Sequence, residues 1–262
     1  MQFNKPWFWE RKNIVIPLIL MPITLIVKLI IKIKKKTCKA EHFNIPIICI
    51  GNIYIGGTGK TPSSIFLAKE LMKKGKKPVI LRKYYKNHND EHILLKSNFS
   101  NVIIEKNRSN GIRNAENSGF DSVILDDGFQ DYKIKKTLSV VCFNQNQLIG
   151  NGYVFPSGPL REDINALQKS EIILINGKQD KNFEKKIFEI NRNAEIYYSS
   201  YKLLDFRIFE GKKLVVFAGI GSPDNFFKIL VDNNLDIFKT VSYPDHYNYS
   251  KSELLGLINY AK

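Results

Sequence analysis

Cysteine is scarce: the 262 residues hold three, Cys38, Cys49 and Cys142, with no CxxC pair. An odd, scattered set excludes a disulfide framework and fits a reducing compartment. The four histidines, His42, His88, His92 and His246, fall at no spacing that reads as a metal site. Acidic residues are few, 25 against 40 Lys and Arg, which leaves a formal net charge of +15. Zinc-ligand spacings and nucleic-acid recognition motifs are both missing, so no nucleic-acid partner is expected. The surplus of base has two other readings: an anionic membrane surface, or a genome that favours Lys, Ile and Asn codons. On both readings a basic surface attracts anionic lipids and phosphorylated substrates. An NKxD base-reading segment is also absent, which argues against a GTPase. What is present, 44% hydrophobic and 25% charged residues, is the make-up of a folded globular chain.

One long apolar run stands out. Residues 14–31 read IVIPLILMPITLIVKLII, with Trp7 and Trp9 before them and Lys32, Lys34, Lys35 and Lys36 after. The run is close to the roughly 20 residues that cross a hydrocarbon core. Pro17, Pro22 and Lys28 interrupt it, so a helix lying in the interface is favoured over a full span. A cleaved signal peptide fits poorly, because the basic cluster follows the apolar run and no small-residue cleavage site stands out. The positive-inside rule puts the body after Lys36 on the cytoplasmic face of a membrane.

Residues 45–50 form a short apolar run that reads as a buried strand. GNIYIGGTGKTP follows at 51–62. Gly56, Gly57 and Gly59 allow backbone N–H groups to converge on phosphate oxygens, with Tyr54, Ile55 and Thr58 completing the loop. Lys60 would reach the β- and γ-phosphates of ATP, and the Thr61 hydroxyl would ligate Mg2+. The usual spacing has glycine where Tyr54 stands. A helix is expected from Thr61 to about Met72, its positive end towards the anion.

Residues 120–125 read as a second buried strand, ending in Asp126-Asp127-Gly128-Phe129-Gln130. Carboxylates at the C-terminal end of such a strand lie beside a phosphate loop in doubly wound sheets and can hold the metal. Asp90 and Glu91 sit between these two segments. By the residues alone Asp90 reads as a surface side chain.

Five segments together resemble the tetraacyldisaccharide 4′-kinase (lipid A 4′-kinase) family: GNIYIGGTGKTP (51–62), DDGFQ (126–130), GNGYVFPSGPLRE (150–162), FAGIGSPDNFF (217–227) and YPDHYNYS (243–250). The resemblance implies a P-loop NTPase-like core on the cytoplasmic face of the bacterial inner membrane. It implies transfer of the γ-phosphate of ATP, with Mg2+, to the 4′-hydroxyl of an acylated glucosamine disaccharide 1-phosphate. It also implies roles. Lys60 and Thr61 are the phosphate-loop lysine and hydroxyl, and Asp126 and Asp127 the metal-side pair. Asp90 resembles the catalytic base and His246 the histidine that pairs with it. Arg82 and Arg161 are candidate contacts to phosphate or substrate. Asn89, Leu81, Lys83 and Asp131 depart from the family's residues. The family usually continues past the last segment, so a fragment or shortened member is expected.

The expected architecture is α/β, with a doubly wound, mostly parallel sheet. A membrane-associated helix (1–36) precedes a P-loop kinase domain (37–195). A strand-like linker (196–210) leads to a smaller α/β unit (211–262). Gly219 and Gly221 lack the third glycine and the distal acid of a dinucleotide fingerprint. Two rival functions stay open from the residues alone: a P-loop phosphotransferase for a soluble metabolite, and a membrane-bound nucleotide-binding module without turnover.

Overall fold

The computed structural model describes residues 6–10, 15–86, 88–221, 223–244 and 247–261. The chain divides into two compact units, one spanning Pro6–Ser199 and one built from Ser200 onward. In the first, the elements run α1 (Val15–Thr37), β1 (Ile47–Gly51), α2 (Lys60–Lys73), β2 (Pro78–Lys83), α3 (Asn89–Asn98), β3 (Val102–Glu105), α4 (Arg108–Asn117), β4 (Ser122–Asp126), β5 (Leu138–Asn144), β6 (Ile172–Asn176), α5 (Lys181–Ile190) and β7 (Glu195–Ser199).

The seven strands form one all-parallel sheet in the order β3-β2-β4-β1-β5-β6-β7. Parallel strands covered on both faces need near-continuous apolar runs, and alternate residues serve opposite layers. Cys49, Leu81, Leu125, Val141 and Ile173 pack with Ile112 and Ala115 of α4 and Phe183 and Ile187 of α5. Ile50, Ile80, Ile124 and Cys142 pack on the other side with Ile65 and Ala68 of α2 and Leu95 of α3. Strand β1 lies between β4 and β5, so the chain leaves it towards one edge and later crosses it to build the other. The crevice at its C-terminal end is therefore the topological switch point, where such sheets bind ligands.

Two expected boundaries move. The strand at 45–50 starts at Ile47, because the backbone N–H groups of Asn44 and Ile45 donate instead to Glu116 Oε1 of α4. The linker expected from 196 does not begin there. Ile196 and Tyr198 pack on the main core, and β7 pairs with β6 from Ile172–Glu195 to Asn176–Ser199.

The second unit holds β8 (Leu214–Ala218), α6 (Pro223–Asp232), β9 (Ile237–Ser242) and α7 (Lys251–Ala261). Its two strands are parallel, and Val216, Ala218, Phe227, Leu230 and Leu235 form its core. That is the smaller α/β unit read from the sequence.

Candidate active site

The site begins where β1 ends. A Cβ on Gly51 would stand 2.5 Å from Phe129 Cβ, so glycine is what lets the 126–131 turn close over the strand end. Asp127 donates its N–H to Ile50 O at 2.9 Å, tying the two segments in register.

The loop between β1 and α2 is held by its carbonyls. The Asn52 side-chain amide donates to Gly56 O at 3.3 Å and Thr58 Oγ1 at 2.9 Å, and Asn176 Nδ2 at the end of β6 donates to Thr58 O at 2.6 Å. Ser63 Oγ donates to Gly59 O at 2.8 Å. Gly59 has φ 83°, a left-handed turn that swings the chain into α2 without a Cβ clash. Among the described residues, no N–H group of 56–61 donates to a protein acceptor. A turn whose carbonyls are fastened and whose amides are free, at the positive end of a helix, is an anion cradle.

The cradle is shorter than the sequence implied. Ile55 gives its N–H to Pro159 O at 2.8 Å, so it has none to offer a phosphate. Tyr54 is fully buried in the main core and bridges Leu160, which explains why a tyrosine stands at the usual glycine position. The cradle is 56–61, and residues 53–55 form the wall that fixes it to the 159–161 segment.

The two aspartates divide the work. Asp126, with no exposed surface, accepts from Thr61 Oγ1 at 3.1 Å and Ser64 Oγ at 3.0 Å, and pairs with the Arg82 guanidinium. Asp127 has φ 56°, a left-handed backbone that turns its carboxylate towards the loop. Its Oδ1 lies 3.7 Å from Lys60 Nζ and 2.7 Å from Arg161 Nη1. Burial works against the Asp127 charge, but Lys60 and Arg161 outweigh it and hold the carboxyl well below the usual range. Burial likewise pushes the Lys60 ammonium below its ordinary value, partly offset by Asp127. The thiols of Cys49 and Cys142 are pushed up to about 12 by burial, which leaves them inert as nucleophiles.

Arg82 does not stand free for a phosphate. Its guanidinium spans Asp126 on one side and Glu91 on the other, and it is nearly fully buried. Glu91 also meets His88 Nδ1 at 2.8 Å. Asp90 is the exposed neighbour of Glu91 in the first turn of α3, so the residue expected as base sits one position from the residue Arg82 grips. His246 lies outside the described residues. Reading the sequence missed Ser64, Asn52 and Asn176, and named Glu91 beside Asp90 without giving it a part. Ser64 follows Thr61 by one short turn and was findable by helical spacing, whereas Asn176 comes from a distant strand.

For a divalent cation, the Thr61 hydroxyl and the two aspartates form a hard-oxygen set at one corner. Among the described residues no group of three or more His, Cys, Asp or Glu could hold a metal. Mg2+ does not need one, since it is ordinarily held by one or two carboxylates plus substrate phosphates. The residues present fit it on those terms.

Helix α1 borders the same region. Pro17, Thr24, Lys28, Ile31 and Lys35 recur at helical spacing and face the body. Ser157 Oγ donates to Pro17 O at 2.8 Å, Thr24 Oγ1 donates to Ser157 Oγ at 2.7 Å, Lys28 pairs with Asp163 at 2.8 Å, and Lys35 with Glu162 at 2.5 Å. The opposite face leaves Leu18, Ile19, Leu25, Ile26, Leu29 and Ile30 exposed. The helix is long and apolar enough to cross a membrane, and only 11% of its most apolar stretch is buried.

A family model described as tetraacyldisaccharide-1-P 4′-kinase matches residues 16–262. A protein named tetraacyldisaccharide 4′-kinase from Pelagibacter ubique is 40% identical over 269 residues, covering 100% of this chain and 84% of the relative. Proteins of the same name from Rickettsia akari and Allorhizobium ampelinum are 32% and 30% identical, the alignments covering 83% and 81% of their lengths and 98% and 100% of this chain. Among solved structures, LpxK from Aquifex aeolicus in complex with ATP has a TM-score of 0.71 at 23% identity, covering 90% of this chain and 84% of that one, which establishes the likeness of fold.

Proposed function

We infer the chemistry from one premise: this chain belongs to the tetraacyldisaccharide-1-P 4′-kinase family. It is a kinase of lipid A biosynthesis that moves the γ-phosphate of ATP to the 4′-hydroxyl of a tetraacyldisaccharide 1-phosphate. The observation that carries this reading is the free-amide cradle at 56–61, set against Lys60, Thr61 and the aspartate pair.

The residues divide the reaction as follows. The amides of 56–61 and the Lys60 ammonium bind the β- and γ-phosphates. Thr61, Asp126 and Asp127 would hold Mg2+, which supplies positive charge against the phosphate oxygens. With a triphosphate in place, Lys60 exchanges its carboxylate partner for phosphate, a short move from its 3.7 Å contact. Arg161, at the mouth on Asp127, is placed in this reading to steady charge on the transferring group. Asp90 takes the proton as the sugar oxygen attacks phosphorus; the new O–P bond forms as the bond to the β-phosphate oxygen breaks and ADP leaves. The ion pair from Asp126 through Arg82 to Glu91 supports this role, because it holds the turn that carries Asp90. The resemblance gives His246 the task of orienting that carboxylate.

The apolar face of α1 is read as lying in the interface of an anionic inner membrane, on its cytoplasmic side, with the body against the surface. What supports a flat rather than crossing helix is that its contacts with the body recur from Pro17 to Lys35, over most of its length. An interfacial helix keeps the enzyme where an acylated substrate is concentrated.

The direct test is phosphate transfer from labelled ATP with Mg2+ and the acylated disaccharide. Lipid-dependent ADP release is expected. Turnover of ATP onto a soluble sugar without lipid would favour the soluble-metabolite rival. ATP binding without turnover would leave a nucleotide-binding module. Asp90→Ala and His246→Ala should each slow turnover while nucleotide binding survives, and normal turnover in either removes that residue from the mechanism.

A further inference from the structure

Glu162 is a carboxylate in an unusual place. It is 2% exposed, yet the mechanism above gives it no part. A buried charge persists only when it is paired and hydrogen-bonded. Its partners come from two separate parts of the fold. Oε1 accepts from Gln130 Nε2 at 3.0 Å and Oε2 from Tyr132 Oη at 2.9 Å, both on the 126–132 turn. The cation is Lys35 of α1, whose Nζ lies 2.5 Å from Oε2 and 5.3 Å from the centre of the Tyr132 ring.

Two neighbours of Glu162 reach the reacting corner. Gln130 also donates to Asn52 O at 2.8 Å, at the root of the phosphate loop. Arg161, next in chain to Glu162, gives its N–H to Ile53 O at 2.7 Å and its guanidinium to Asp127 at 2.7 Å. Glu162 therefore joins α1 to the phosphate loop, to the aspartate turn and to Arg161.

We propose that Lys35 and Glu162 are positioning residues for phosphoryl transfer, so that docking of α1 on the body sets the catalytic corner as well as holding the enzyme at lipid. Without the Lys35 ammonium, the buried carboxylate either draws in water or shifts, and Gln130, Tyr132 and Arg161 shift with it. Helix α1 is then part of the active-site scaffold, and removing it costs catalysis even when substrate is delivered in solution. This deepens the kinase reading and rests on it.

The test separates positioning from anchoring. Wild type, Lys35→Ala and Lys35→Arg are assayed for transfer to the disaccharide lipid in detergent micelles at saturating lipid, and for co-sedimentation with liposomes containing anionic phospholipid. Lys35→Ala is expected to lose about 10- to 100-fold in kcat, the scale of a small misplacement of catalytic groups. Its liposome binding should stay within about twofold of wild type, since Lys32, Lys34 and Lys36 remain. Lys35→Arg should recover most of the rate. A Lys35→Met, Glu162→Gln double variant should be no slower than the worse single variant, because the two act as one unit. The proposal is overturned if Lys35→Ala keeps wild-type kcat. It is equally overturned if the loss follows liposome release and vanishes in micelles. Should Glu162→Gln fail to fold, the three Lys35 forms decide by themselves, as Lys35 is partly exposed. Absence of transfer by the wild type in the same assay would strike the kinase reading rather than this one.

Discussion

The phosphate corner and helix α1 break opposite rules. At the corner, charges are buried: Asp126 has no exposed surface, Arg82 is 3% exposed, and both are matched by partners. Along α1, apolar side chains are exposed: Ile19 at 70% and Leu25 at 59% have water where a core would be. Each arrangement is costly in isolation. The corner meets its cost internally, with Thr61, Ser64, Arg82, Lys60 and Arg161 around two carboxylates. The helix leaves its cost unmet among the described residues. A site that must release and rebind a ligand needs spare partners for its charges, whereas a surface proposed to lie in lipid needs none.

The largest expected effect cuts at the corner. Lys60→Ala should lower the transfer rate by about 10²–10³-fold or more, as loss of a preorganised charge does at other sites of developing anion, read as labelled phosphate moved to lipid. An unchanged rate would break the contrast, since the buried ammonium would then have no ligand to serve. Next comes Asp126→Ala, which strands the Arg82 guanidinium. Removing one partner of a buried pair costs about 3–5 kcal/mol, measurable by chemical denaturation. A shift under about 1 kcal/mol would mean Glu91 alone suffices for Arg82.

On the helix, Ile26→Asp with Leu29→Asp should leave thermal stability nearly untouched and weaken liposome binding. Each large apolar side chain kept from lipid forfeits about 1.5–3 kcal/mol. Equal liposome binding would show that this face meets something other than a membrane.

The smallest effect is in the pH dependence. Asp127 has a folded pKa below its unfolded value, so its pairing stabilises the fold above the ordinary carboxylate range. That stability is lost only as pH falls from about 4 through the lower folded value. Asp127→Asn should flatten the acid limb of the stability curve. Lys60 acts in the other direction: its lowered pKa makes its burial a cost at neutral pH, relieved as pH rises towards about 10. Lys60→Met combined with Asp127→Asn, which removes both members of the pair, should accordingly lose little stability at pH 7 while inactive.

How much of this was readable varies by residue. Lys60, Thr61, Asp126 and Asp127 were legible because a strand, a glycine turn and a helix follow one another within a dozen residues, and local order fixes their chemistry. The apolar strands at 45–50 and 120–125 were legible for the same reason, and the parallel sheet followed. Ile55 and Tyr54 were read as part of the phosphate loop, since only the distant 159–160 segment reveals that the Ile55 N–H is already engaged and that Tyr54 pairs with Leu160 and is buried. Arg82 was read as a candidate contact to phosphate or substrate, and its grip on Glu91, nine residues on, could not be seen. Residues 196–199 were read as linker, although their alternation of Ile196 and Tyr198 carried an edge-strand signal.

Sequence alone pointed to the groups proposed for the chemistry: an amide-rich turn, one lysine, one hydroxyl and two carboxylates, each made available by short-range backbone geometry. Tertiary structure decided which of them are held and by what. Asp126 meets Arg82, Asp127 meets Arg161, and Glu162 meets Lys35 of α1, across 44, 34 and more than a hundred residues. No local pattern encodes those meetings. They follow from the order of strands in the sheet and from where the loops at its C-terminal edge come to rest.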